Sequence, residues 1–103
     1  MKVIEGNNDN FNKEVLESLN PVLVDFNATW CGPCRMLSPV LDEVASETDK
    51  VKIVSIDVDE CEDIAATYGV SSIPCLVLFK NGKEDSRVVG FRNKEEIQEF
   101  IGE

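Results

Sequence analysis

Along this chain, short apolar runs alternate with stripes of apolar residues at helical spacing. Three runs rich in β-branched residues predict strands buried on both faces of a sheet: residues 22–26, 51–58 and 75–79. Asn81-Gly82 is typical of a β-hairpin turn, so a further strand is predicted to return over residues 86–89. Val3 and Ile4 favour a short additional strand at the start of the chain.

The first stripe of helical spacing runs from Phe11 through Val15 to Leu19. Residues 8–10 are of the type that caps a helix start, and Asn20-Pro21 is a stop signal. These residues predict a helix whose three apolar side chains all face the core.

The next stripe begins after Trp30-Cys31-Gly32-Pro33, where a proline fits the first helical turn because its missing N–H costs nothing there. Leu37, Leu41, Val44 and Ala45 form the apolar face of this helix. Pro39 lies within it, so we expect either a kinked helix or two shorter ones.

Two more helices are predicted towards the end of the chain. The stripe over residues 61–68 ends at Gly69, a residue favoured at helix C-termini. Asn93 and Glu96 have the spacing of a capping box, and the residues that follow, 97–101, include an inward apolar face.

The predicted order of elements is therefore β-α-β-α-β-α-β-β-α. The βαβ parts require parallel strands with right-handed crossovers, and the hairpin adds an antiparallel edge. We predict an α/β fold with a mixed sheet, parallel and antiparallel, flanked by helices on both faces. The 103 residues show no repeat and no linker, so we expect a single domain over residues 1–103.

Charge and cysteine usage narrow the function classes. Ten basic and twenty acidic residues give a net charge of -10, which repels phosphate backbones and anionic lipids. We therefore expect no nucleic-acid partner, no membrane partner and a monomer. Residues 1–10 lack the apolar run of a signal peptide, so a cytoplasmic location is expected. Cysteines there are more often catalytic or metal-binding than structural.

The strongest chemical signal is the Cys31-Gly32-Pro33-Cys34 motif at a strand-to-helix junction, which indicates a redox-active pair. Residues three apart on a helix lie roughly 5–6 Å apart, within the range of about 4.4–6.8 Å between Cα atoms that a disulfide accepts. Cys31 falls at the helix N-terminus, where a thiolate is favoured and can attack a disulfide. Cys34 lies in the first turn, and we expect it to be the less exposed, resolving thiol.

The cysteine pair has two alternative interpretations. Half of a zinc site would need two further ligands, but the chain has no histidine, and Cys61 and Cys75 are isolated singles. An inert structural disulfide is disfavoured in a reducing compartment. We therefore expect no metal and no cofactor apart from the Cys31–Cys34 disulfide.

Asp25 interrupts the apolar run of the second predicted strand. Burial raises the pKa of a carboxyl, and a base tuned in this way can take a proton from Cys34, directly or through a water. On the residues alone, a carboxylate satisfied by backbone N–H groups is the more favoured interpretation.

Over essentially its whole length, the sequence resembles the thioredoxin family. The resemblance rests on the Trp-Cys-Gly-Pro-Cys pentapeptide followed by Ile73-Pro74, and on matching stretches at residues 24–26, 78–82 and 89–90. It implies the thioredoxin fold, protein-disulfide reductase activity, disulfide-containing protein substrates and recharging by a thioredoxin reductase. It also implies that Asp25 is the proton acceptor for Cys34.

The resemblance further implies that the Ile73–Pro74 bond is cis and that Pro74 faces the cysteine pair, leaving a backbone edge open for an extended substrate. The residues alone favour trans, because only about 5–6% of X–Pro bonds in folded proteins are cis. An apolar docking patch is expected around the pair, with ordinary packing as the alternative. Its members are Trp30, Gly32, Pro33, Ile73, Gly90 and Phe91.

Gly32 and Pro33 also bear on redox tuning. Oxidants and isomerases of the same fold often carry a histidine between the cysteines, which stabilises the reduced form. Gly32-Pro33 supplies no such charge, which favours a reductase. A non-catalytic binding module of this fold would be expected to lack one of the two cysteines, and both are present.

The chain departs from the family pattern at three positions. Asn27 stands where many members carry a second tryptophan, and Ser55 where many carry a lysine near the buried aspartate. Cys75 stands where threonine is usual; we interpret it as a small buried hydrophobe, with a regulatory thiol as the alternative.

Overall fold

Five strands form one mixed sheet in the computed structural model, which describes residues 1–103. The strands are β1 (Ile4–Glu5), β2 (Val22–Asn27), β3 (Lys52–Asp57), β4 (Cys75–Lys80) and β5 (Lys83–Val89). Their order across the sheet is β1-β3-β2-β4-β5. The first three are parallel, whereas β4 is antiparallel to β2 and β5 to β4. The predicted mixed sheet is confirmed.

The helices cover both faces of this sheet. They are a π-helical segment (Asn12–Leu16), α1 (Gly32–Glu47), α2 (Glu62–Thr67) and α3 (Lys94–Phe100). Successive strand residues point to opposite faces, so β2 contributes to two separate cores. Val22, Val24 and Phe26 pack with the π-helical segment and α2, whereas Leu23 packs with α1 and α3.

This alternation decides where Asp25 points. Asp25 follows Leu23 by two positions, so its side chain lies on the α1 face. The strand register pairs it with Ser55 of β3 on one side and with Leu76 of β4 on the other. A carboxyl group is thereby held in the middle of the sheet, beneath the helix that begins with the cysteine pair.

The first helix differs from its prediction. The Glu17 N–H donates to the Asn12 carbonyl at 2.8 Å, an i→i+5 bond, and the segment ends at Leu16. Leu19 lies beyond it and is 98% exposed, so its placement in the inward stripe is wrong. The chain has left the helix because Ser18 hydrogen-bonds with the Asn20 backbone in a turn.

The cap predicted for this helix is also wrong. Phe11 occupies the N-cap position without a side-chain cap hydrogen bond. The preceding polar residues bond to one another instead: the Asn7 side-chain oxygen accepts from the N–H groups of Asp9 and Asn10. Short polar side chains compete for nearby backbone groups in this way, which favours a turn.

Other local signals are confirmed. The capping box of Asn93 and Glu96 forms at α3, and Asn81 and Gly82 have the positive φ angles that their hairpin turn requires. α1 continues through Pro39, so the interpretation as two shorter helices is wrong. Leu37 and Leu41 anchor it to the sheet on both sides of the proline, which outweighs the lost hydrogen bond.

Candidate active site

Cys31 and Cys34 are joined by a disulfide at the N-terminus of α1, with their Cα atoms 5.2 Å apart. Cys31 is the N-cap residue in extended conformation, and Cys34 lies in the first helical turn. The Cys34 N–H donates to the Cys31 sulfur at 3.2 Å, so this sulfur occupies the position of a capping oxygen. Free N–H groups and the helix dipole at that position favour the thiolate once the disulfide is reduced.

Both sulfur-bearing side chains are buried. Cys31 is 6% exposed and Cys34 5% in the disulfide form, and the lower exposure expected for the Cys34 thiol stays a prediction for the reduced protein. Val58 and Ile73 pack against the pair together with buried Ala28.

The Ile73–Pro74 peptide bond is cis, as the family resemblance implied and the residues alone did not. Pro74 is buried, and its carbonyl accepts the N–H of Gly90 at 2.8 Å. Since Ile73 contacts the cysteine pair, this hydrogen bond brings Gly90 to the same end of the sheet as the disulfide.

The predicted docking patch is partly open to solvent. Trp30 is 67% exposed, Pro33 and Phe91 are also exposed, and Gly32, Ile73 and Gly90 are half-buried. Met36, which the sequence did not single out, is an exposed apolar residue one turn after Pro33 on the same side of α1. Its signal was available, since an apolar residue outside the inward stripe of a helix faces solvent.

Trp30 is fixed by a second residue that the sequence did not single out. Its indole Nε1–H donates to Asp59 Oδ2 at 2.8 Å, across the loop that joins β3 and α2. This contact is exposed and fixes the indole of the residue that directly precedes Cys31. Asp59 is one of many acidic residues in the chain, and only the fold shows that it reaches Trp30.

The position of Trp30 predicts an optical readout of the disulfide. It is the only tryptophan in the chain, it neighbours Cys31, and a disulfide close to an indole quenches its emission. Adding dithiothreitol should therefore raise the tryptophan fluorescence, and a Cys34→Ser variant should lose this response. Release of two thiols without any change in emission would contradict the pairing.

Asp25 is the buried carboxyl of the site. It is 3% exposed, and with Cys34 it lines a pocket of about 360 Å³ between α1 and the sheet. Desolvation by burial raises its pKa from 3.8 to about 7, and a hydrogen bond from Asn27 opposes that rise. A carboxyl with a pKa near 7 can both accept and release a proton at neutral pH.

The two unusual neighbours of Asp25 are in contact with each other. Asn27 Nδ2 donates to Asp25 Oδ2 at 3.1 Å and to Ser55 Oγ at 2.8 Å. Asp25 Oδ1 is buried and has no hydrogen-bond partner. The sequence marked Asn27 and Ser55 only as departures from the family pattern, whereas the fold brings them together around the carboxyl.

Cys61 and Cys75 are free thiols buried in the other core, beneath α2. Burial raises the pKa of both thiols; at Cys75 the nearby Arg87 acts against the rise without cancelling it. Thiols of this kind react poorly, which supports their interpretation as small hydrophobic residues and disfavours a regulatory thiol at Cys75.

Two further structural observations concern metals and membranes. No group of three or more histidine, cysteine, aspartate or glutamate side chains is arranged to hold a metal ion. None of the helices has both the length and the apolar character needed to cross a bilayer.

A cysteine pair that closes into a disulfide at the start of a helix, over a mixed sheet, defines a thiol–disulfide oxidoreductase of the thioredoxin fold. Comparison with known sequences makes the assignment specific: the family model described as Thioredoxin matches residues 2–103. The chain belongs to the thioredoxin family, and its activity is that of a protein-disulfide reductase.

Similar proteins agree with this assignment. The chain is 48% identical to a thioredoxin of Rickettsia felis over 92 residues, which is 88% of either chain. It is 46% identical to a thioredoxin of Bacillus subtilis over 102 residues, or 98% of this chain and 96% of the relative. It is 54% identical to thioredoxin 1 of Synechococcus elongatus over 81 residues, or 78% and 76% of the two chains.

Proposed function

We propose that the protein reduces disulfides in other proteins with Cys31 as the nucleophile and Cys34 as the resolving thiol. The observation that carries this proposal is the disulfide at the N-terminus of α1, with Cys31 at the cap position. The helix terminus stabilises negative charge on Cys31 more than on Cys34, which lies within the first turn.

The reaction takes two exchange steps. The Cys31 thiolate attacks one sulfur of the substrate disulfide, forms a mixed disulfide and releases the other sulfur as a thiolate, which takes a proton. Cys34 then loses its proton and attacks Cys31. This step closes the Cys31–Cys34 disulfide and releases the second substrate thiolate, so two electrons pass from the protein to the substrate.

Asp25 is the proton acceptor for Cys34 in the second step. Its support is that both side chains line one pocket, that no histidine exists in the chain, and that burial raises the pKa of Asp25 to about 7. A carboxyl with an ordinary pKa would be too weak a base to deprotonate a thiol efficiently.

The remaining site residues bind the substrate and tune the pair. Trp30, Ile73, Gly90 and Phe91 form an apolar surface beside the disulfide, and Pro74 presents backbone to an extended substrate segment. Between the cysteines, Gly32 and Pro33 add no charge that would stabilise the thiolate and make the disulfide strongly oxidising.

The partners follow from the chemistry. A protein that gives two electrons to each substrate disulfide must be reduced again, so we infer a thioredoxin reductase as its electron donor. No further cofactor is required, because the exchange uses sulfur alone. We further propose a monomer with a single domain over residues 1–103, located in the cytoplasm, where thiols are kept reduced.

A coupled insulin-disulfide assay tests this function. With a flavin-dependent reductase and NADPH in one series, and a ferredoxin-dependent reductase in another, insulin precipitation and electron-donor oxidation should both depend on this protein. Dithiothreitol as the donor serves as the positive control for the exchange chemistry. If the protein does not accelerate insulin reduction by dithiothreitol over dithiothreitol alone, the proposed function is contradicted, whereas failure with one reductase alone would identify the donor class.

A further inference from the structure

The side chain of Asn27 lies at the end of β2, two residues after Asp25 and on the same face of the sheet. Its amide nitrogen is surrounded by three oxygen atoms. Its two hydrogens are shared among Asp25 Oδ2 at 3.1 Å, the Asp25 carbonyl at 3.0 Å and Ser55 Oγ at 2.8 Å. These contacts hold one oxygen of the Asp25 carboxylate and leave the other, Oδ1, without a partner.

We propose that Asn27 is a positioning residue for Asp25: it holds Oδ2 and so leaves Oδ1 as the oxygen that takes the proton from Cys34. This inference rests on the proposed role of Asp25 as proton acceptor. The side chain of Asn27 makes no hydrogen bond to either sulfur and acts through the carboxylate.

The chemistry around the amide fixes its orientation. All three surrounding atoms are oxygens. The backbone carbonyl of Asp25 is always an acceptor, and its carboxylate is an acceptor without a proton to donate as long as it is ionised. The opposite orientation would place the Asn27 oxygen against these acceptors and repel them. Ser55 Oγ holds the same nitrogen from β3, so the amide is tied to two neighbouring strands.

A fixed donor at Oδ2 has two consequences. It stabilises the ionised carboxylate, because a hydrogen bond to a charged acceptor is stronger than one to a neutral acceptor. It also restricts the rotation of the carboxyl group, which would otherwise expose either oxygen to the pocket. Ser55 stands where many members of the family carry a lysine, so the carboxyl has a neutral donor from the neighbouring Asn27 instead of a cation.

Each element that packs against the Asp25 carboxyl also contributes charged or titratable groups. On the pocket side they are Glu5 of β1, Asp57 at the end of β3, Glu60 in the loop after it, and Cys34, Arg35 and Asp42 of α1; the charge of Asp25 also acts to raise the pKa of Cys75 of β4. None of these donates a hydrogen bond to the Asp25 carboxylate, whereas Asn27 does. A test must therefore change the donor without changing these charges.

The variants Asn27→Ala and Asn27→Leu meet this requirement. Leucine has the same number of side-chain heavy atoms as asparagine, also branched at Cγ, but no donor, so it keeps water out where alanine would leave space. The measurement is the titration of the Asp25 carboxyl carbon by ¹³C NMR in the oxidised protein, where the joined cysteines do not titrate. The midpoint should rise by roughly one pH unit in both variants, as expected for loss of a hydrogen bond to a charged group.

The same variants should slow the second exchange step. If the midpoint rises from about 7 to about 8, the ionised fraction at pH 7 falls about fivefold, and resolution of a preformed mixed disulfide should slow by about that factor. The rate should recover towards the wild-type value at higher pH. In an Asp25→Asn background, replacing Asn27 should change the pH profile no further.

Ser55→Ala is the matched control, because it removes one contact of Asn27 and leaves the bond to Asp25 in place. The Asp25 titration midpoint should rise in Ser55→Ala by less than half of the rise in Asn27→Leu. If the Asp25 titration midpoint is unchanged or lower in Asn27→Leu, the inference is overturned. If Asp25→Asn resolves the mixed disulfide slowly in the same experiments, the proposed role of Asp25 as base still holds. Conversely, resolution at the wild-type rate in Asp25→Asn would overturn the base, and the titration would still report whether Asn27 holds the carboxylate.

Discussion

Replacing Cys34 with serine should convert the protein from a turnover reductase into one that traps its substrates. Cys31 keeps its place at the cap of α1 and can still attack a disulfide, but no thiol remains to release the product. Insulin reduction should fall by at least about a hundredfold, because nucleophile and resolving thiol act as a unit. Mixed disulfides should accumulate and appear as adducts on non-reducing gels that dithiothreitol removes.

Two control variants make this result specific. Cys31→Ser should abolish both turnover and adduct formation, since it removes the attacking sulfur. Cys61→Ser changes a buried thiol away from the pair and should leave reduction close to wild type, provided that circular dichroism shows a native fold. Adducts formed by Cys31→Ser but not by Cys34→Ser would reverse the two roles.

The parts of the fold that could be predicted from sequence depend on short-range chemistry. Asn81-Gly82 specifies its turn because both residues tolerate positive φ, and Asn93 with Glu96 specifies a helix start through two reciprocal hydrogen bonds. The run at residues 22–26 predicted a strand buried on both faces, and the two cores on either side of β2 confirm it.

The first helix shows where such prediction fails. Spacing alone placed Leu19 beside Phe11 and Val15, but the wider π-helical turn and the turn at Ser18 send it into solvent. The spacing of apolar residues indicates helical periodicity, but it does not indicate at which residue the helix ends. A single polar turn with little signal in the sequence can therefore end a helix early.

In the candidate site, too, one part could be predicted from the sequence and another could not. The cysteine motif carries its own geometry, since its spacing fits a disulfide at a helix start, and the Cα separation of 5.2 Å agrees. The contacts of Asn27 with Ser55 and of Trp30 with Asp59 join residues far apart in sequence. They depend on strand register and loop path, which no local pattern records.

Asp25 gives the protein a pH-dependent stability whose sign can be derived. Its carboxyl has an ordinary pKa of 3.8 and a folded-state pKa of about 7, raised by burial. Between these values the folded protein binds more protons than the unfolded chain, so the free energy of unfolding falls as the pH rises. The full contribution is present below about pH 4, and above about pH 7 the loss is complete and constant.

Asp25→Asn should therefore be more stable than wild type at pH 8 and nearly equal to it at pH 4. A difference of about three pH units corresponds to roughly 4 kcal/mol, as an order of magnitude, at about 1.4 kcal/mol per unit. Asparagine keeps the shape of the carboxyl, so the gain comes from removing a buried charge whose Oδ1 has no partner. Urea unfolding of both proteins in the oxidised state at several pH values measures it. Asp49→Asn, at an exposed position, is the control and should change stability by under about 0.5 kcal/mol. A gain for Asp25→Asn that is the same at pH 4 and pH 8 would show that ionisation of this carboxyl is not its source.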